Sequence, residues 1–408
     1  MTALRRNPHH SAIRGFPGGG GPTEPAPFRD PRIPERRRPD GTRTIPRSEG
    51  SREAVARRNP HHSAISLACR LWIAAASSST IRDAGPMGID TGKPFRRRDA
   101  VAGGVAAWRL ATPAYRKLFH GVYVDSAVVV TPALRAKAAL LVAPAASHVS
   151  HQTAAEIWGG WVPNDSDTHI SCPGRRPDHA GIAGHRSASA AHVVKRFGLR
   201  ISSPAQTFLD LAGVIPLVEL VVLGDSLVKA QRVTAQILVD AAKAWRGHGA
   251  RVARQAAALV REGVRSPMES RLRMLLILVG LPEPVIDHKV YDAQGHVIMR
   301  YDLSYPPHRL ILEYDGRQHA ESDEQWDRDI ERREDIDQRQ WRIVVIRSKD
   351  IYQTPRNTLL RIVRAMVDQK MPVPSRWRHD WSRHFPSLPN DAAPASWPPH
   401  RVRAPKSQ

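Results

Sequence analysis

The sequence predicts an α+β N-terminal winged-helix and helical region followed by an α/β domain whose mixed sheet is flanked by helices. Three observations predict it. Residues 94–125 read helix, Gly-containing turn, helix, strand, the order of a winged helix-turn-helix. Helical periodicity then recurs at 205–214, 216–229, 233–246 and 249–262. From residue 265 a capped helix, a two-stranded hairpin, a charged helix and an apolar strand follow one another, the order of a β-α-β unit with a right-handed crossover.

Composition bounds the partners. A chain of 408 residues is expected to hold two or three domains, and 41% hydrophobic residues suffice for their cores. A formal charge of +22 and a pI of about 10.9 point to a polyanion, double-stranded DNA first, against the plainer reading of a solvated basic surface. The two cysteines, Cys69 and Cys172, have no CxxC or Cys/His ligand spacing, which fits a reducing cytoplasm and argues against a zinc site or a disulfide framework. No run reaches the roughly 20 apolar residues of a membrane span. The longest, "ISLACRLWIAAA" and "VIPLVELVVLGDSLV", are broken by Arg70 and by Glu219 and Asp225, so no membrane partner is expected.

Residues 1–86 read as a disordered basic arm. They are rich in Pro, Gly and Arg, without periodicity. The nine-residue string RRNPHHSAI occurs at 5–13 and again at 57–65. It is either a basic, His-containing tail or a duplicated DNA element translated from a start codon assigned too far upstream. The second reading is preferred, with Met87 opening the folded part.

Residues 87–130 are expected to form the DNA-binding module. A short helix near 97–103, a turn at Gly103-Gly104 and a second helix from about 105 to 118 would carry Arg109, Arg116 and Lys117 to DNA, with Trp108 and Tyr115 between them. Pro113 should kink or split that second helix. The plainer alternative is a helical cap that binds no DNA. Residues 131–262 read as mainly helical. Thr131-Pro132 is an N-cap with a first-turn proline, and β-like pieces lie between 166 and 205. The histidines of this region (His148, His151, His169, His179, His185, His192) are scattered in sequence and read as structural or surface residues.

Chemistry concentrates in residues 263–370. Ser266-Pro267-Met268-Glu269 reads as N-cap to N3 of a helix reaching Val279, with Leu272, Leu275, Leu276 and Val279 on one apolar face. Glu269 lies beside that face, either as a site carboxylate or as the far half of a capping box. In "GHVIMRYDLSYPPHRLILEYDG" two β-runs flank Pro306-Pro307. With residues 306–309 as the loop, Tyr305 faces Leu310 and Asp302 stands opposite Glu313. Asp315, two residues on, shares that face. Like charges so placed destabilise a sheet, so proton uptake, basic neighbours or a cation must compensate. Hard oxygen donors without sulfur suit Mg²⁺ or Mn²⁺, with Asp302, Glu313 and Asp315 as ligands. The alternative is an exposed acidic strand end. Residues 371–408, with Trp377, Trp381 and Trp397 among prolines and arginines, read as a poorly ordered tail.

The order of these signals carries a resemblance. Glu269 on a helix, Asp302 in a hairpin, the E-x-D-G-x-x-H string of Glu313, Asp315, Gly316 and His319, a D-x-x-R helix with Asp329 and Arg332, and the strand 341–347 resemble the PD-(D/E)xK nuclease superfamily. More closely they resemble the bacterial uncharacterised domain related to very-short-patch-repair endonucleases. Residues 94–262 loosely resemble type IV abortive-infection antitoxins, by order and length. The resemblance implies a restriction-endonuclease-like fold, a Mg²⁺-dependent endonuclease acting on double-stranded DNA, and a toxin partner. It assigns catalysis to Glu269, Asp302, Glu313, Asp315 and His319. The superfamily's usual lysine is absent, and Asp315 stands in its place. His319 would then act as general base or phosphate donor, with Arg332 or Arg347 clamping the phosphate. The alternative is a non-catalytic DNA-binding regulator whose nuclease-fold domain has degenerated.

Overall fold

The computed structural model describes residues 89–174, 176–187, 192–316, 332–334, 336–387 and 391. The basic arm 1–86, His319, Asp329 and most of the expected charged helix lie outside them.

The first folded stretch is a small three-stranded sheet with one short helix. β1 (Phe95–Arg96) leads into α1 (Arg97–Ala102), a 3₁₀ turn (Ala107–Ala111), β2 (Tyr115–Phe119) and β3 (Val122–Asp125), in sheet order β1-β3-β2. Phe95, Ala100, Val105 and Leu110 close over one another as its core. The second helix expected over 105–118 is absent. Thr112 is extended at φ −82° and ψ 163°, as a residue preceding a proline prefers, and Pro113 ends the turn. Arg109 therefore sits in the 3₁₀ turn, and Arg116 and Lys117 stand exposed on β2 rather than on a helix.

The middle region holds more strand than its periodicity suggests. Thr131 caps α2 (Pro132–Val142) by accepting from Leu134 N at 3.2 Å. β4 (His148–Val149), α3 (His151–Trp158), β5 (Thr168–Cys172), β6 (Ile182–Arg186), β7 (Val193–Arg196) and β8 (Leu199–Ser202) follow, and the mixed sheet runs β6-β5-β4-β8-β7. Four helices come next: α4 (Pro204–Leu211), α5 (Leu217–Lys229), α6 (Ala235–Ala244) and α7 (Ala250–Ala257). α5 is buried on nearly every face, which is why its sequence reads as an apolar run around Glu219 and Asp225.

α8 (Pro267–Val279) then opens the C-terminal layer, capped by Ser266 at its start and by Gly280 at φ +96° at its end. β9 (Val285–Tyr291), β10 (Val297–Tyr305), β11 (Leu310–Tyr314) and β12 (Arg342–Ile346) form a mixed sheet in the order β12-β11-β10-β9. β11 and β12 are parallel, as a β-α-β unit requires. α9 (Ser348–Tyr352), α10 (Pro355–Asp368) and α11 (Trp381–His384) complete the described chain.

One buried cluster runs through the last two regions. It includes Phe208, Leu220 and Leu223 on the middle helices, Leu272 and Leu276 on α8, Leu312 and Ile346 in the sheet, and Ile362 on α10. The tail expected to stand off contributes to it: Trp381 and Phe385 are buried, and the Asp391 carboxylate accepts from Arg356 N and Asn357 N at 2.8 and 2.9 Å, capping α10.

The join between α5 and α8 is ionic as well as apolar. Arg273, fully buried, donates to Asp225 at 2.8 Å and to Glu283 at 3.1 Å, and Ser270 also donates to Asp225, at 2.7 Å. Arg271 pairs with Glu219 on α5 and lies over the Trp161 ring, 4.0 Å from its centroid. Two arginines can be buried in one helix because each guanidinium is met by carboxylates and, for Arg271, by an aromatic face.

Candidate active site

The hairpin decides the geometry. Tyr305 pairs with Leu310, Ser304 with Ile311 and Leu303 with Leu312, the register expected from a loop at 306–309. Pro306–His308 form a 3₁₀ turn, and Arg309 takes the left-handed conformation at φ +49° to re-enter the strand. Continued one step, the register sets Asp302 opposite Glu313, and Asp302 Oδ2 accepts from Tyr314 N at 3.1 Å.

Glu269 reaches the same place from α8. Ser266 Oγ accepts from Glu269 N at 3.2 Å, while the Glu269 carboxylate accepts from Arg265 N at 2.9 Å. The Glu269 carboxylate therefore serves the helix start, though on the amide of Arg265 and not on that of Ser266, which a capping box would use. It also lies close enough to Asp302 for the two charges to be felt. Burial first, then the Asp302 charge, push the Glu269 carboxyl up to about 7. Burial also raises Asp302, opposed by the Tyr314 amide and by Arg332 and Arg265.

Glu313 is half-buried and ion-paired with Arg332, whose guanidinium also donates to Arg300 O at 3.1 Å. Asp315 follows β11, and its amide donates to Ile346 O at 2.8 Å, so the next residues on the two parallel strands are Asp315 and Arg347. The Arg347 side chain is exposed, and its amide donates to Asp350 Oδ2 at 2.8 Å as α9 begins. The structure thus brings Glu269, Asp302, Glu313 and Arg332 to one end of the sheet, with Asp315 and Arg347 at its rim. Around the hairpin acids it supplies basic neighbours, Arg332 beside Glu313 and Arg332 with Arg265 near Asp302. Among the described residues, no three His, Cys, Asp or Glu side chains form a group that could hold a metal ion. Arg265 was missed in the sequence, because nothing in "VRSPMES" distinguishes a residue facing a carboxylate from a solvated one.

No family model matches the chain. It is similar to two uncharacterised proteins of Mycobacterium tuberculosis, from strains CDC 1551 / Oshkosh and ATCC 25618 / H37Rv. Each is 25% identical over 221 residues, covering 54% of this chain and 81% of the relative. No helix among the described residues is long and apolar enough to cross a membrane.

A second grouping lay hidden in the scattered histidines. His151 at the start of α3 stacks on His185 of β6 with ring centroids 3.5 Å apart, and His169 Nδ1 lies 2.9 Å from His185 Nε2. Asp165 Oδ2 stands 3.2 Å from His169 Nε2. Burial and the neighbouring rings push His151 down to about 2, and burial with His169 pushes His185 down to about 4. At neutral pH the rings are uncharged, which permits the close stack.

Proposed function

We propose that the chain is a divalent-metal-dependent DNA endonuclease that hydrolyses phosphodiester bonds, with residues 87–130 acting as a winged-helix-like DNA-binding module. The observation that carries this reading is pairwise: Glu269 lies near Asp302, Asp302 stands opposite Glu313 in the hairpin register, and burial raises the first two carboxyls. Carboxylates that cost this much to bring together suit a hard cation. Asp302 and Glu313 would hold Mg²⁺ or Mn²⁺ once Arg332 releases Glu313, with Asp315 beside them. Bound there, the ion would polarise the phosphodiester and lower the pKa of an attacking water.

The chain's own residues supply the rest. Glu269, titrating near neutrality, accepts or returns a proton beside Asp302. Arg332 and Arg347 sit where a phosphate would approach the sheet end and neutralise its charge. Arg116 and Lys117, exposed on β2, meet phosphates from a strand rather than from a helix, and Arg109 does so from the 3₁₀ turn. His319, outside the described residues, keeps in this proposal the two roles the resemblance implies, general base or donor to the phosphate. A restriction-endonuclease-like fold, a resemblance to very-short-patch-repair endonucleases and a toxin partner belong to this same proposal.

A specific observation favours a second reading. The Glu313–Arg332 ion pair satisfies the acid internally, as a DNA-binding regulator with a degenerate nuclease fold would do. Supercoiled plasmid incubated with the full chain and Mg²⁺ separates the two. The nuclease reading expects nicked and linear product, lost at least 100-fold in Asp302→Ala and Glu313→Ala. Gel-shifted but uncut plasmid under Mg²⁺ and Mn²⁺ supports the regulator.

A further inference from the structure

A cavity of about 880 Å³ lies away from the carboxylates, between the middle helices and the C-terminal segment. Its floor is apolar: Ile215 just before α5, Leu217 at the start of α5, Val252 on α7 and Leu278 on α8. Its rim is cationic or titratable: Arg251 and His248 on one side, Arg378, Arg383 and His384 on the other. The acid among its lining residues, Asp380, faces Arg383 at 3.7 Å, which leaves the rim positive. Gly213 shapes the wall. A Cβ there would come within 1.9 Å of His248 Nδ1, so only glycine lets the imidazole lie against this turn.

We propose that this cavity binds a nucleoside di- or triphosphate. The two halves of the lining match the two halves of such a ligand. A base has a flat apolar face to lay on Ile215, Val252 and Leu278, and a polyphosphate has the charge and the planar oxygen pairs that Arg251, Arg378 and Arg383 recognise. A volume of about 880 Å³ falls in the range of small-molecule sites and exceeds what inorganic phosphate fills. The arginines come from segments far apart in sequence, α7 and the stretch before and within α11, so a bound polyphosphate would tie the C-terminal segment to the helical region.

The test is calorimetric titration of the full chain with ATP, GTP, adenosine and inorganic triphosphate, at ionic strength high enough to screen loose attraction to a basic surface. The expected result is a nucleotide bound with micromolar affinity, at least tenfold tighter than adenosine or triphosphate alone. Arg251→Glu with Arg378→Glu should weaken it at least tenfold, and Val252→Trp, which fills the floor, should abolish it. Thermal melting of each variant shows that the fold persists. Failure of every nucleotide to bind below 1 mM would overturn the proposal, as would triphosphate binding as tightly as a nucleotide, or unchanged affinity in well-folded variants.

Discussion

Glu269 shows how much one side chain can hold. Its backbone N–H is capped by Ser266, its carboxylate caps Arg265 N, and its charge meets that of Asp302. The sequence made the capping and site readings look like rivals, because a spacing of three residues fits both. Only the approach of α8 to the hairpin, a tertiary fact, shows that a carboxylate serving the helix start also lies near Asp302. The pH consequence has a definite sign. With a folded pKa of about 7 against an ordinary 4.5, the neutral acid stabilises the fold fully below pH 4.5. That contribution, about 3 kcal/mol by the free energy of such a shift, is lost as pH rises to 7. Glu269→Gln keeps an acceptor for Arg265 N and removes the titration. It should melt higher than wild type at pH 8 and within a degree or two of it at pH 4.5. Equal melting temperatures at pH 8 would show that Glu269 is not a strained acid. His319 falls outside the described residues, so its role stands on the sequence alone.

At the scale of elements, what was legible followed the strength of the local signal. The cap, first-turn proline and apolar face of α8, the four middle helices and the hairpin register were all readable, since each is written within about 15 contiguous residues. The second helix of the first region was misread because Pro113 was allowed to kink a helix that it ends. β9 went unnoticed: its partly exposed, mixed-polarity residues resemble a loop until β10 pairs with it. The histidine stack was illegible for a different reason, since its rings come from elements 16 to 34 residues apart and meet only when β5, β6 and α3 assemble. The α5–α8 junction rests on the buried Asp225–Arg273 pair. Asp225→Ala leaves Arg273 buried with one carboxylate fewer and should cost about 3–5 kcal/mol, measured by urea unfolding. Asp225→Asn should recover part of that loss through its remaining acceptor. A cost below 1 kcal/mol for the alanine variant would mean that the junction is held by apolar packing alone.

Across the whole molecule, a charge of +22 coexists with a sheet end where Glu269, Asp302 and Glu313 lie. In the proposed reading, basic surfaces would draw a polyanion in, and a cation at Asp302 and Glu313 would turn the repelling acids into a place where a phosphate can dock. The helical region and the sheet share one buried cluster, so metal binding at the sheet end should be felt as stability of both. The most direct measurement is a Mn²⁺ titration of the full chain, followed by loss of the free-ion paramagnetic resonance signal. Asp302→Ala, Glu313→Ala and Arg332→Ala are measured beside wild type. Expected are one site of sub-millimolar affinity in wild type, no site in either acid variant, and tighter binding in Arg332→Ala, where the competing guanidinium is gone. Wild type that leaves Mn²⁺ free at millimolar concentration, with Arg332→Ala behaving the same, would contradict the proposed metal site and leave the acids as half of an internal ion pair.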